Sequence, residues 1–461
     1  MAENGDAAWA VARADRLAVM IDSAAGFRAM LDALRQAKRR VWIVGWTFDP
    51  RTRMDPTDDT ADTRIGAVLN ALARERPELE IRVLIWNASG LAHAARRLQP
   101  TLARTWFRDG RVRFATDDTL PLGASMHRKL VVIDDALAFC PNDDITVNRW
   151  DDTAHLDRNP ARRLPSGRGG PPWHAVHAML DGPAAARLAD VARERWTSVT
   201  GEDVAPLETP GAAAWPEGVA PLLRDREVTV TGTDPSGGAG APQAGLVHAL
   251  RCIERARRSL YIEATYLTSP RLREALAARL READGPEVVL VTGRHAPSFF
   301  DRAVMDPPCT LFLNRLRAAD LHGRLTAVAP RAPAGRLVRV HAKVMIVDDR
   351  LLRMGSFNIS NRSGGYDPEC DIAVEAGDDE PLRDLRQRLI GHFVGQDAAE
   401  VARAEAAAGS IGGALRHLDP EARRLPPLRP RPPLWRGWLA RLHLGDPEGR
   451  GDAWRPWRRA G

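Results

Sequence analysis

The sequence predicts an α/β protein of two similar halves, each a mixed, mainly parallel sheet flanked by helices, related by a pseudo-twofold duplication with the active site between them. Three observations lead there. Short apolar runs alternate with helical patterns through most of the 461 residues, as expected of a sheet covered by helices. The order of those elements repeats in the second half of the chain. A spaced His, Lys and Asp occurs once in each half, as His127-Arg128-Lys129 with Asp134 and as His341-Ala342-Lys343 with Asp348.

In chain order, Ala24 to Arg39 has apolar residues at helical spacing and leads into Val41 to Trp46, an apolar run that reads as a buried strand. Ile65 to Arg76 resumes the helical period, and Glu80 to Trp86 is a second strand. Val112 to Ala115 and Lys129 to Asp134 continue the sheet, with Leu137 to Cys140 as a hairpin partner. The second half repeats this series. Val247 to Arg258 reads as helix, Leu260 to Ala264 as strand, Leu272 to Arg281 as helix, Glu287 to Thr292 as strand, Leu311 to Ala319 as helix and Leu325 to Val328 as strand, before the strand that follows His341. The expected domains are a first half over 1–200, a linker over 201–245, a second half over 246–400, and a helical, Pro/Trp/Arg-rich tail over 401–461. Gly and Pro crowd Asp234 to Pro242, the core of the linker. Arg158 to Pro172 is a basic irregular stretch, read equally well as a rim over a phosphate-bearing substrate or as a solvated loop. In the tail, Leu434 to Leu442 mixes Trp, Arg and Leu, with Trp454 and Trp457 behind it. That mixture suits a membrane interface, but packing on the body is slightly favoured over it, and Gly437 weakens the helix.

The repeated motif carries the chemistry. His and Lys one residue apart on an extended strand project to the same face, so each half presents a base beside a cation. An apolar run follows each pair, and Asp134 and Asp348 end the two strands. Gly355-Ser356-Phe357-Asn358 is a small-residue turn that brings a hydroxyl and an amide near His341. Such a collection suits an anion with a tetrahedral centre.

With GSFN after the second copy, the two motifs resemble the phospholipase D superfamily, whose duplicated HKD motifs meet at one active site. Arg149-Trp150-Asp151, Pro172-Trp173-His174, Val176-His177, Tyr261-Ile262-Glu263, Asn361-Arg362-Ser363 and Glu369-Cys370-Asp371 share the resemblance, which covers about Arg39 to Phe393. It implies a nucleophile at His127 and a general acid/base at His341, with Lys129 and Lys343 on the nonbridging oxygens. It also implies Glu369 as the carboxylate partner of a histidine in the second half; Asp151 is the candidate partner in the first. Asp134 and Asp348 are expected to be structural supports. Ser356, Asn358 and Asp144 are expected to bind the phosphate. One departure stands out. Where the family has a Gly-Gly or Gly-Ser turn, the first half has Pro141-Asn142-Asp143-Asp144, and Pro141 removes a backbone N–H. The resemblance calls for no cofactor, and no metal is assigned. His174 and His177 lack a nearby Cys or a third ligand and are read as packing or substrate-rim residues.

Composition bounds the rest. The basic excess is mild, 66 Lys and Arg against 60 Asp and Glu, which favours anionic partners without naming one. The four cysteines form no CxxC pair, no 18-residue apolar run occurs, and the first residues lack a signal-peptide pattern. A cytoplasmic protein with peripheral membrane contact is the resulting expectation. The expected partners are a phospholipid substrate, a membrane surface and a water or alcohol acceptor, with a monomeric chain and no nucleic acid. The alternatives are cardiolipin synthase-type transfer, an HKD nuclease and a catalytically impaired lipid-binding protein.

Overall fold

In the computed structural model, the described residues are 7–87, 98–121, 123–208, 211, 214–236, 242–296, 299–429 and 445–447. The predicted Trp/Arg segment at 434–442, Trp454 and Trp457 lie outside them. The first half runs β1 (Ala10–Ile21), α1 (Ser23–Arg35), β2 (Arg40–Gly45), α2 (Ile65–Glu75), β3 (Glu80–Trp86), α3 (Leu98–Trp106), β4 (Val112–Asp117), β5 (Leu130–Ile133), β6 (Leu137–Pro141), β7 (Trp173–His174), β8 (Val176–Asp181) and α4 (Pro183–Thr200). The second runs β9 (Leu223–Thr233), α5 (Ala244–Arg255), β10 (Ser259–Ala264), α6 (Pro270–Arg281), β11 (Glu287–Thr292), α7 (Phe299–Ala319), β12 (Leu325–Val328), β13 (Arg339–Val340), β14 (Val344–Val347), β15 (Leu351–Gly355), α8 (Asn361–Gly365), β16 (Glu369–Glu375) and α9 (Glu380–Val394). Two helices, α10 (Ala398–Ala408) and α11 (Ile411–Leu418), follow.

The two halves share one 14-stranded sheet, ordered β12-β11-β10-β14-β15-β16-β9-β1-β8-β6-β5-β2-β3-β4. Read outward from its centre, the order is the same on both sides: β1 matches β9, β8 matches β16, β6 matches β15, β5 matches β14, and β2, β3 and β4 match β10, β11 and β12. The pseudo-twofold therefore passes between β1 and β9, which pair antiparallel from Ala10 opposite Val230 to Leu17 opposite Leu223. Two expectations need correction here. Within this sheet parallel pairing is confined to the three outer strands of each half, so it is mixed and antiparallel through its middle, and β7 and β13 form a separate parallel pair between the halves. The stretch assigned to a linker also contains β9, a central strand.

Strand alternation distributes the core to both faces of the sheet. On β2, Val41 and Ile43 join Phe27 and Met30 of α1 and Leu69 of α2, whereas Trp42 and Val44 join Leu188 of α4. That second cluster continues into the other half through Tyr261, Val289 and Val291 to Leu385 and Leu389 of α9. A third cluster packs Leu260 and Ile262 under α5, α6 and α7. The chain is thus held by a core that crosses the dyad. Helix α7 starts earlier than predicted and runs through Pro307 and Pro308, the residues that stop a helical reading of the sequence. Among the described residues, no helix is long and apolar enough to cross a membrane.

Candidate active site

The motif residues lead into β5 and β14, the fourth strand from the dyad in each half. His127 and Lys129 share one face, while Arg128 between them points away, into a cation–π contact with Trp9 and 3.3 Å from Asp234. Beyond each strand the chain turns at Asp134-Asp135 and Asp348-Asp349. All four residues have positive φ, and Ala136 and Arg350 donate back to Ile133 and Val347, as in two-residue hairpins of type I′. The Asp134 carboxylate accepts the backbone N–H groups of Lys38, Arg39 and Arg40. Asp348 does the same for Arg257, Arg258 and Ser259. Both aspartates therefore tie a motif hairpin to the start of the neighbouring strand and touch neither histidine.

Each imidazole meets a carboxylate from the opposite half. His127 Nδ1 lies 2.9 and 3.0 Å from the two Glu369 oxygens, and Ser363 Oγ donates to Glu369 at 2.5 Å. His341 Nδ1 lies 3.0 Å from Asp143 Oδ1. Asp143 also accepts Trp173 Nε1 at 2.5 Å and is ion-paired with Arg149, whose Nε lies 2.9 Å from Oδ1, and the Trp173 ring lies against His341. Further bonds close the cleft: His127 N donates to Pro368 O, His341 N to His174 O, and Ser125 to Asp367.

Both lysines are buried. Lys129 Nζ donates to His127 O at 2.8 Å and Lys343 Nζ to His341 O at 2.6 Å, with His341 Nδ1 3.0 Å away. Two ammonium groups and two imidazoles in one buried cleft perturb one another. Burial first, then Lys129 and Lys343, holds His127 well below the usual imidazole range. Burial, then Lys343, Arg149, Lys129 and His127, does the same to His341. Burial and Lys129 push Lys343 far below the usual ammonium range. The Glu369 carboxyl is pushed up to about 7 by burial, against the pull of Lys129. Burial and mutual repulsion work against positive charge on His127, His341 and Lys343, and a bound anion would relieve that repulsion and favour their protonated forms.

The structure revises three assignments. Asp151 is not the partner of a motif histidine; it accepts Arg162 Nη1, Trp173 N and His155 Nδ1. Glu369 meets His127 of the first half, not the histidine of its own half. Asp144 faces Lys129, 3.8 Å away, and accepts the N–H groups of Trp46 and Thr47. An ionised carboxylate offers no donor to a phosphate, so Asp144 positions the lysine. Ser356 Oγ takes the Cys370 N–H and bonds Glu369. Asn358 keeps a buried Oδ1 without a partner.

The residues that the sequence reading missed are Asn142, Asp143 and Arg149. Asn142 takes the place of the usual small turn residue, and its side chain spans the halves, accepting Lys343 N at 3.0 Å and donating to Gly355 O at 2.6 Å. Pro141 ends β6 opposite His177 and leaves both His-Lys pairs in place. In the second half the glycine is required, because a Cβ on Gly355 would meet Cys370 O at 2.4 Å.

Comparison with known proteins agrees with this geometry. A family profile described as "Cardiolipin synthase, PLD-like domain" matches residues 249–391. Phospholipase D1 of Schizosaccharomyces pombe is 22% identical over 439 residues, which cover 74% of this chain and 32% of the relative. Phospholipase D B of Dictyostelium discoideum is 24% identical over 207 residues, 38% of this chain and 17% of the relative. The chain thus spans less than a third of the length of these curated relatives. Among solved structures, phosphatidylserine synthase from Haemophilus influenzae superposes with a TM-score of 0.57 at 15% identity, over 82% of this chain and 86% of that one. The fold is shared.

Proposed function

This chain belongs to the phospholipase D superfamily, and we propose that it cleaves a glycerophospholipid headgroup through a covalent phosphohistidine, as a phosphodiesterase or phosphatidyltransferase. The observation that carries the reading is the exchange of carboxylates across the dyad, which orients two imidazoles beside two buried lysines. With Nδ1–H donated to Glu369, the His127 Nε2 lone pair attacks phosphorus. A P–N bond forms, the P–O bond to the headgroup breaks, and His341 gives its proton to the leaving oxygen. His341, now neutral, takes a proton from water or an alcohol, whose oxygen displaces His127. Water yields phosphatidic acid; a phosphatidylglycerol acceptor yields cardiolipin. Lys129, Lys343 and Arg149 balance the phosphoryl charge, and Asn358 adds hydrogen bonds. The names of the curated relatives support lipid as the substrate class.

The test is incubation of purified protein with mixed phosphatidylcholine and phosphatidylglycerol vesicles, with new lipids and released headgroup followed by mass spectrometry. Headgroup release or exchange that falls at least about 10³-fold in both His127→Ala and His341→Ala is the expected result, given the usual size of nucleophile and acid–base effects. Turnover by His127→Ala equal to wild type would sink the mechanism. Inactivity on every lipid, with cleavage of plasmid DNA, would replace the substrate class.

A further inference from the structure

We infer that Asp22, His155, His174 and His392 form a closed metal site, suited to Zn²⁺, that pins the two halves together behind the catalytic cleft. The ligand atoms of these four side chains lie within 4.8 Å of one another. Asp22, His155 and His174 come from the first half, and His392 comes from α9 in the second. All three first-half residues are fully buried.

The atoms sort into an inner and an outer set. Toward the common centre, Asp22 Oδ1 lies 2.8 Å from His174 Nδ1 and Asp22 Oδ2 lies 3.3 Å from His155 Nε2. His392 completes the group, its ring centroid 4.8 Å from that of His174 and 5.3 Å from that of His155. Asp22 Oδ2, His155 Nε2 and His392 Nε2 are all buried without a hydrogen-bond partner. Three such orphaned groups gathered in one buried place are costly to leave without hydrogen bonds. Away from the centre, each imidazole's other nitrogen has an acceptor: Glu263 for His174 at 2.7 Å, Asp151 for His155 at 3.1 Å, and the Arg388 carbonyl for His392 at 3.3 Å. That outer ring orients His155 and His392 with a lone pair inward, the arrangement of metal-binding histidines, while His174, whose Nδ1 is hydrogen-bonded to Asp22 Oδ1, would give up that proton to the metal. Tetrahedral Zn²⁺ with bonds of about 2.0–2.1 Å needs its ligand atoms slightly over 3 Å apart, so a modest contraction satisfies all three orphans.

The backbone is consistent with a placed ligand, since Asp22 adopts a φ of 66° while its N–H donates to Ala175 O. Three nitrogens and one carboxylate oxygen favour Zn²⁺ over oxygen-seeking Mg²⁺ or Ca²⁺. Four protein ligands leave no open position, so the role is structural. Its consequence for the cleft is direct: His174 also offers its carbonyl to His341 N, and the neighbouring Trp173 carries Asp143 and the His341 ring.

The test is elemental analysis of full-length protein purified without a histidine tag. About one zinc per chain is expected, falling below a tenth in His155→Ala and in His392→Ala, and Co²⁺ reconstitution should give the visible bands of a tetrahedral N/O site. Wild-type protein that holds under a tenth of an equivalent and shows no Co²⁺ bands would overturn the site, as would full zinc content in both variants. Should the variants fail to fold, X-ray absorption at the zinc edge decides on wild-type protein. Three histidine nitrogens and one carboxylate support the site; sulfur or predominantly water ligation refutes it.

Discussion

At the scale of single residues, the cleft sets function against stability, and Glu369 shows the conflict best. Its carboxyl is fully buried and titrates near 7 in the folded chain rather than at its usual 4.5. The folded state therefore holds a proton that the unfolded state releases between those two values, so stability is lost as pH rises from about 4.5 to about 7 and stays lost above. Glu369→Gln keeps the shape without the charge. The variant is expected to gain on wild type by up to about 3 kcal/mol at pH 8 and by nothing at pH 4, from the pKa displacement converted at 1.36 kcal/mol per unit, while losing roughly 10²-fold or more in turnover. Urea titrations at the two pH values check the first part, and a variant no more stable than wild type at pH 8 refutes it. Arg149 tests the other histidine. As the proton donor, His341 must be charged, yet burial, and after it Lys343 and Arg149, press its pKa down. Arg149→Gln removes one cation, so the alkaline limb of the kcat/KM–pH profile should move to higher pH, and an unmoved limb would show that His341 is not the acid.

At the scale of elements, the two motif hairpins explain why Asp completes a His-Lys pair that it never touches. Asp tolerates the positive φ of a type I′ turn, and its carboxylate gathers three backbone N–H groups that open the adjacent β2 or β10. Asp134→Ala and Asp348→Ala should each cost about 2–3 kcal/mol, the price of a strained turn and abandoned donors. Activity per folded molecule should hold, because neither residue meets substrate. A stable Asp134→Ala protein with turnover down 10³-fold would make that carboxylate part of the chemistry. The same elements show what was legible in the sequence. Strands β2, β3, β10, β11 and β14 are buried almost throughout, so their apolar runs stand out, and a two-residue spacing is enough to pair His with Lys. The central strands β1 and β9 mix charged and apolar residues at their shared end, where Arg13 and Glu227 lie opposite each other, and their patterns disappear into polar sequence. The carboxylate partners were unreadable for another reason. Glu369 stands 242 residues from the histidine it orients, and only the folded dyad brings Asp143 to His341.

At the scale of the whole molecule, duplication has not produced two domains that merely touch. The sheet runs unbroken through β1 and β9, the core containing Trp42 also contains Leu385, and each half completes the other's histidine. Stability and activity should therefore be lost together. Calorimetry is expected to show one transition, with calorimetric and van't Hoff enthalpies in agreement and activity falling along the same curve. Ala14→Asp places the sharpest load on this arrangement, because Ala14 is packed in the core at the β1–β9 joint, and burying a larger, charged side chain there is costly even with Arg226 across the pair. A fold made of coupled halves responds by shifting the single transition to lower temperature, with both halves melting in step. Two independently foldable halves would instead split the thermogram, the second peak staying at the wild-type temperature while activity vanished with the first. That second outcome would mean that the halves need each other for chemistry but not for folding, and the dyad would then be an assembly interface and not a shared core.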